Sequence, residues 1–471
     1  MAIPMTAGAE IDAWEDDPGS PIVKRCVPDL EKTPLAFEFV GPQPPPGIYV
    51  KGTPQFRYWT AAEALRRAAD FWAPLTDVDW HGGGPLAVFL DDGADLNAYY
   101  TRAALVFCHG PSQDGTVWSG ESPDVVCHEL GHAILDSIRP ELWDATSLEA
   151  AAFHESFGDM SAILSALQLP SVRATVLAET GGKLYRNSRL SRLGEQIGAA
   201  VRFFHPDAVE ADCLRNAVNS FTYVDPVTLP QMAPSSMLSS EPHSFSRVFT
   251  GAFFEILAGL VTEVFSRKKK PVTYDQALVG ASTHTARILV NGVRAAPLAP
   301  NFYSQVAAAM IDASGKIDPA YPAILKAAFV RRSILSLDSA AQVGDPRKVR
   351  FPSRAAAAKR PGADLKTLSL ASDHYGLDRP LLVPAASHRR PLLMTLATAV
   401  IGSNEPASSP QAVTSSFVNN LFRLGRVDDS QFRSPGRGLD RGNRTSTHTL
   451  VDEGDGGLRL ARCRFACGIA H

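Results

Sequence analysis

The chain has 471 residues, 45% of them apolar, and a formal charge of −3. That length exceeds one typical domain and supplies ample core, so two or three packed units are expected. The near-neutral charge argues against nucleic acid or an anionic membrane as the main partner, and six cysteines in so long a chain are not a disulfide framework.

The first 30 residues carry no basic segment followed by an apolar run, because Asp12, Glu15, Asp16 and Asp17 interrupt it. No secretory signal is read there, and a cytoplasmic protein is expected, with export by an unusual route as the alternative. No uninterrupted apolar stretch of membrane-spanning length occurs, so no membrane span is expected. Residues 1–55 read as an irregular, proline-rich segment, with GPQPPPG at Gly41–Gly47 as a stiff linker. Thr60–Leu75 has helical periodicity, while Pro85–Asp92 and Ala98–Phe107 read as strands. These elements give an N-terminal α/β lobe over residues 56–140.

Its last element is a helix. Ser122-Pro123-Asp124 supplies an N-cap, a proline at the first helical position and an acid in the first turn, and Pro140 stops it. Within it, residues 128–132 read His-Glu-Leu-Gly-His. Near 3.6 residues per turn, His128 and His132 share one face and can grip one metal ion, with Glu129 able to reach a water on that ion. A catalytic zinc needs a third protein ligand. Ile138 excludes a third histidine six residues past His132. A second helix, opened by Thr146-Ser147-Leu148-Glu149 as a capping box, carries Glu155 and Asp159 four apart. Laid antiparallel to the first, it lets Glu155 complete the ligand set, and Asp159 take the free N–H of a ligand imidazole.

Residues 141–337 are mostly helical in pattern, with a loop-rich stretch at 171–240 that would line a cleft. Residues 338–471 read as a small β-rich or partly disordered tail. It is basic, with 19 Lys and Arg against 10 Asp and Glu from residue 346 onward, which suits a solvated extension. Cys463 and Cys467, four apart, are expected as free thiols rather than as a pair or as metal ligands. Cys127 reads as a small core residue.

The stretches DVVCHELGHA (Asp124–Ala133) and HESFGD (His154–Asp159) resemble the two signature motifs of the thermolysin-like, gluzincin zinc metallopeptidases. LNAYYTRAALVF (Leu96–Phe107), CLRNAVN (Cys213–Asn219) and EPHSFSRVFTGAFFEIL (Glu241–Leu257) are similar to further family segments, in family order. The resemblance spans roughly residues 55–335. It implies an α+β, two-lobe fold: an N-terminal α/β lobe with a mixed sheet and a mostly helical C-terminal lobe, to which this chain adds a C-terminal appendage. It implies Zn2+ on His128, His132 and Glu155, and hydrolysis of internal peptide bonds by a zinc-activated water with Glu129 as general base. His243 would stabilise the transition state, while Asn97, Ala98 and Arg215 would bind a peptide or protein substrate. Val125 and Leu214 would favour a hydrophobic side chain after the cut.

Three features depart from the family pattern. Trp143 stands about where a tyrosine helps bind the oxyanion. Leu238 replaces the carboxylate that orients the catalytic histidine, with Glu241 close by. His154 replaces a common asparagine. Asp124 matches a calcium ligand, but the segment after the second helix lacks the acidic cluster, so structural Ca2+ has no full ligand set. These departures motivate the alternative of a non-catalytic or weakly active homologue acting as a binding protein.

Overall fold

The computed structural model describes residues 5–267, 271–343, 365–387, 392–393, 395–397, 404–406, 408–432 and 446–467. It begins with an antiparallel pair, β1 (Met5–Trp14) and β2 (Ile22–Pro28). These residues were expected to be irregular. Instead Ile11 and Ala13 alternate inward with Glu10 and Asp12 outward, the period of a half-buried strand. Ile11 and Val27 pack with Tyr58, Trp59 and Ala62 in a small core of their own.

The remaining N-terminal elements are β3 (Phe37–Phe39), α1 (Pro54–Trp72), β4 (Leu86–Phe89), β5 (Ala98–Tyr100), β6 (Ala104–Phe107) and the hairpin β7 (His109–Ser112) with β8 (Gly115–Trp118). Ala98–Phe107 is therefore two strands, not one. Arg102 takes a left-handed φ of 69° between them. Its guanidinium compensates that cost by bonding Asp136 Oδ1 at 2.9 Å and the Pro140 carbonyl at 2.8 Å.

The central helices are α2 (Pro123–Ile138) and α4 (Leu148–Ala166), joined through the short α3 (Glu141–Asp144). Ser122 caps α2 as its sequence indicates, accepting from Val125 N at 3.2 Å. The cap of α4 is Ser147, one residue later than the expected capping box, accepting from Ala150 N at 3.2 Å. Glu149 is thereby released from capping. It is buried, and accepts from Tyr223 Oη at 2.7 Å and Tyr303 N at 2.6 Å.

α5 (Pro170–Thr180), β9 (Arg192–Leu193), α6 (Glu195–Phe204) and β10 (Arg215–Asn216) follow, with β9 and β10 antiparallel. The helical lobe then comprises α7 (Pro242–Phe265), α8 (Tyr274–Ala295), α9 (Phe302–Gly315) and α10 (Tyr321–Arg331). By itself α7 is long and apolar enough to cross a membrane, which the sequence reading did not anticipate. However, 67% of its apolar window is buried inside the protein, as expected of a core helix. One continuous apolar core runs through both lobes.

The appendage contains β11 (Leu365–Leu370), β12 (Leu381–Ala386), the pair β13 (Thr395–Ala397) with β14 (Asn404–Pro406), a helix Pro410–Arg423, and β15 (Val427–Asp428), β16 (His448–Asp452), β17 (Leu458–Arg462) and β18 (Phe465–Ala466). Five of these strands form a sheet in the order β11-β12-β17-β16-β15. The helix was missed in sequence because its buried face is short: Val413, Phe417, Val418 and Leu421. The last strand, β18, leaves the appendage and joins the N-terminal sheet, whose order is β18-β5-β6-β4-β3. Its pairing with β5 is antiparallel, Phe465 opposite Tyr100.

Burial raises the Glu149 carboxyl to about 8, against the hydrogen bonds from Tyr303 and Tyr223 that favour its charge. The folded chain therefore holds a proton that the unfolded chain releases near the usual carboxylate value. Stability from this group is full below that value and falls by up to about 1.4 kcal/mol per pH unit until pH reaches about 8. Glu149→Gln keeps an acceptor and removes the titration. Chemical denaturation between pH 5 and 9 is expected to show a flatter pH dependence for the variant than for the parent.

Candidate metal centre

The site begins where α2 crosses α4. A Cβ on Gly131 would lie 2.8 Å from Gly158 Cα, and a Cβ on Gly158 would lie 2.6 Å from His128 Cε1. Only hydrogen fits at either place, so the backbones approach closely and His128 lies flat against α4. That approach sets Glu155 Oε2 3.4 Å from His128 Nε2 and 3.8 Å from His132 Nε2. Ligand atoms around a tetrahedral zinc are separated by about 3.3 Å, given bonds of about 2.0–2.1 Å. The three side chains chosen from sequence are thus brought together at nearly the spacing a zinc ion imposes.

The donor atoms are poorly satisfied. His128 Nε2, His132 Nε2, Glu155 Oε2 and both oxygens of Glu129 are buried and make no well-directed hydrogen bond, Glu155 meeting only the site histidines and Glu129 only the thiol of Cys467. So many unpaired polar atoms in one place are costly in a dry interior, and a cation satisfies them. His128 Nδ1 lies 3.0 Å from Asp159 Oδ1. A carboxylate only accepts, so this ring carries its proton on Nδ1 and presents a lone pair from Nε2. Asp159 is held in turn by Arg215, whose Nη2 donates to Oδ1 at 2.7 Å and whose Nε reaches both oxygens at 3.1 Å.

His243 stands on the opposite wall, its Nε2 3.1 Å from Glu155 Oε2. Glu241 orients it, with Oε1 2.7 Å from His243 Nδ1. The same carboxylate caps α7, its Oε2 accepting from Ser244 N at 2.9 Å. Glu241 thus supplies the orienting carboxylate whose usual position holds Leu238.

Burial and neighbours sort the charges. Burial opposes the charge on His243, but Glu155 and Glu241 outweigh it and raise the imidazole to about 10. Burial lifts Glu129 to about 7. Burial, against the Glu155 carboxylate, drops His132 to about 3, so its imidazole is neutral. Asp159 is the reverse case: Arg215 and His128 overcome burial and hold it down near 2.

Asn97 is buried at the start of β5, where its Oδ1 accepts from Ala98 N at 2.9 Å and its Nδ2 donates to Asp95 at 3.2 Å. Arg215, Asn97 and Ala98 line one pocket together with Val125, Leu193 and Leu214. Trp143 does not face the metal cluster. Its Nε1 donates to the Arg462 carbonyl at 3.3 Å, and its ring meets Phe465 edge-on. His154 is fully buried, both ring nitrogens lack partners, and Phe465 stacks on it at 4.0 Å. Asp124 meets acids that sequence reading did not connect with it. Asp17 accepts from Ser122, the residue that caps α2, and the Arg189 guanidinium pairs with Glu15 and Asp16.

Two neighbours of the site carry little mark in the sequence, although Cys467 is a free thiol as expected. Gly158 leaves only the faint trace of a glycine inside a helix. Cys467 has no local signature. Its sulfur lies within 4.8 Å of ligand atoms of His128, Glu129 and His132, and again of Glu155 and His243.

The buried His-Glu-x-x-His turn with Glu155 and His243 beside it is a zincin-type arrangement. No family model matches this chain, and no curated protein matches it in sequence.

Gly158→Ala is expected to push the His128 ring aside, and Asp159→Asn to leave that ring without its acceptor. Each is expected to weaken zinc binding about 10- to 100-fold, measured by competition with a chromogenic chelator. Gly181→Ala, at the left-handed cap of α5, serves as the glycine control with unchanged affinity.

Proposed function

We propose that this chain is a zinc metallopeptidase of the thermolysin-like, gluzincin kind, hydrolysing internal peptide bonds. The observation that carries the reading is one carboxylate oxygen, Glu155 Oε2, beside the Nε2 atoms of His128 and His132, all buried, with Glu129 on the same helix turn as the histidines. His128, His132 and Glu155 would hold the ion. Bound zinc supplies a Lewis acid that polarises a carbonyl and acidifies water.

The chain's own groups do the rest. Glu129, raised to about 7 by burial, takes the proton from the attacking water and passes it to the leaving amine. His243, biased toward its charged form by Glu155 and Glu241, would donate to the developing oxyanion. Arg215 spends Nε and Nη2 on Asp159, leaving Nη1 for a substrate carbonyl. Asn97 and Ala98 offer backbone pairing to an extended peptide. Val125 and Leu214 suit a hydrophobic side chain after the cut.

A non-catalytic homologue is the second reading. It is favoured by Trp143, whose N–H is taken by Arg462, and by β18, which covers the outer side of β5.

Glu129→Gln separates the two. The variant is expected to retain one zinc per chain and to lose at least about 100-fold in peptidase activity, measured on a quenched peptide library. Equal activity of variant and parent would sink the mechanism. A parent inert on every peptide, with Cys467 present or replaced, would select the second reading.

A further inference from the structure

We propose that Cys467 is a fourth protein ligand of the metal in the resting chain, and that the segment Arg462–Cys467 holds the enzyme latent by filling its substrate path. The proposal rests on the metal reading above and goes beyond it.

Three independent observations converge. The first is backbone geometry. β18 adds to β5 in antiparallel register, and Cys467 N donates to Ala98 O at 2.9 Å. That is the strand addition by which an extended peptide docks on a sheet edge. The chain therefore presents its own backbone where the substrate's would lie.

The second is the placement of one sulfur. Cys467 Sγ sits within 4.8 Å of ligand atoms of both imidazoles and of Glu129, and, in a second grouping, of Glu155 and His243. Those neighbours include His128 and His132, whose Nε2 atoms are buried without a well-directed hydrogen bond. Three nitrogen and oxygen ligands leave one tetrahedral position, and a thiolate is among the strongest ligands zinc accepts.

The third is anchoring. Phe465 is only 2% exposed. It stacks on His154 at 4.0 Å and on His132 at 5.0 Å, and the Arg462 guanidinium lies over its ring, 4.1 Å from the centroid. Trp143 and Arg462 close the segment reciprocally: the indole N–H donates to the Arg462 carbonyl, and Arg462 Nε donates to the Trp143 carbonyl at 3.0 Å. A sulfur held this way is delivered to the site rather than passing through it.

Coordination is a proton exchange without redox chemistry. The Cys467 S–H bond breaks, Sγ gives its lone pair to the ion, and the proton leaves through Glu129 to solvent. Glu129 argues for a latent site rather than a structural one. A closed four-ligand site has no use for a further carboxylate buried beside it, whose neighbour here is the Cys467 thiol itself.

The test uses the full chain, reduced, and loaded with Co2+ or Zn2+. The parent is expected to bind one Co2+ and to show a thiolate-to-cobalt charge-transfer band in the near ultraviolet. Cys467→Ser is expected to keep the ion and lose the band, while Cys463→Ser keeps both. Alkylation by iodoacetamide, mapped by mass spectrometry, is expected to be at least about tenfold slower at Cys467 with zinc than after chelation, with Cys463 unaffected. Cys467→Ala is expected to exceed the parent's peptidase activity. One bound Co2+ with no thiolate band and an unprotected Cys467 would overturn this proposal alone. No stoichiometric metal would overturn it together with the metal reading. Should the serine variant fail to fold, the alkylation of the parent decides.

Discussion

Two glycines facing each other across a helix crossing set the geometry on which the metal centre depends. Gly131 on α2 and Gly158 on α4 leave no room for a side-chain atom between them. The two helices therefore pack backbone to backbone. One turn of α2 then presents His128 and His132 to the turn of α4 that carries Glu155, with no side chain wedged between. Any larger residue would widen the crossing and separate ligands that now stand within 4 Å. Because the crossing lies inside the main apolar core, the donor atoms are dry. Their poor hydrogen bonding is a standing cost that a bound cation would relieve, and binding there would add to the stability of the fold.

Around that crossing the charges are arranged in layers. His128 hands its Nδ1 proton bond to Asp159, Asp159 is held by Arg215, and Thr250 on α7 approaches the same carboxylate at 3.4 Å. Glu241 binds His243 with one oxygen and caps α7 with the other. A residue that terminates a helix thus fixes the orientation of a site histidine, so the start of α7 and the shape of the centre are one structural feature. In a low-dielectric interior such fixed partners hold ring tautomers without reorganisation.

The appendage changes the meaning of the cleft. Without β18, β5 would be an edge strand with unpaired backbone groups, the ordinary template for another strand. Here the edge is filled from within the chain by residues 319 positions away from the tryptophan they clasp. Trp143, His154 and Phe465 form one aromatic cluster, with Phe465 edge-on to the indole and stacked on the imidazole. An indole and an imidazole thus offer the ring faces and edges that receive this phenylalanine.

The chemistry of the centre was legible in the sequence because it is local. A four-residue spacing on a capped helix fixes His128 and His132 on one face, and the same spacing fixes Glu155 and Asp159 on the next; α-helical geometry leaves little choice. The two-lobe α+β architecture followed from the same periodicities. What failed were features set by partners remote in sequence. β1 and β2 were hidden by a proline-rich neighbourhood, α4 begins one residue later than its capping pattern suggested because Glu149 is drawn into a buried bond with Tyr223 and Tyr303, and the helix Pro410–Arg423 has too short an apolar face to stand out. Above all, nothing near Cys467 marks it as a neighbour of His128. Helical spacing acts over a few residues and can be read from a string of letters, whereas the arrival of a strand in a cleft is decided by which sheet edge is left open and which pocket accepts its phenylalanine, and those exist only once the chain has folded.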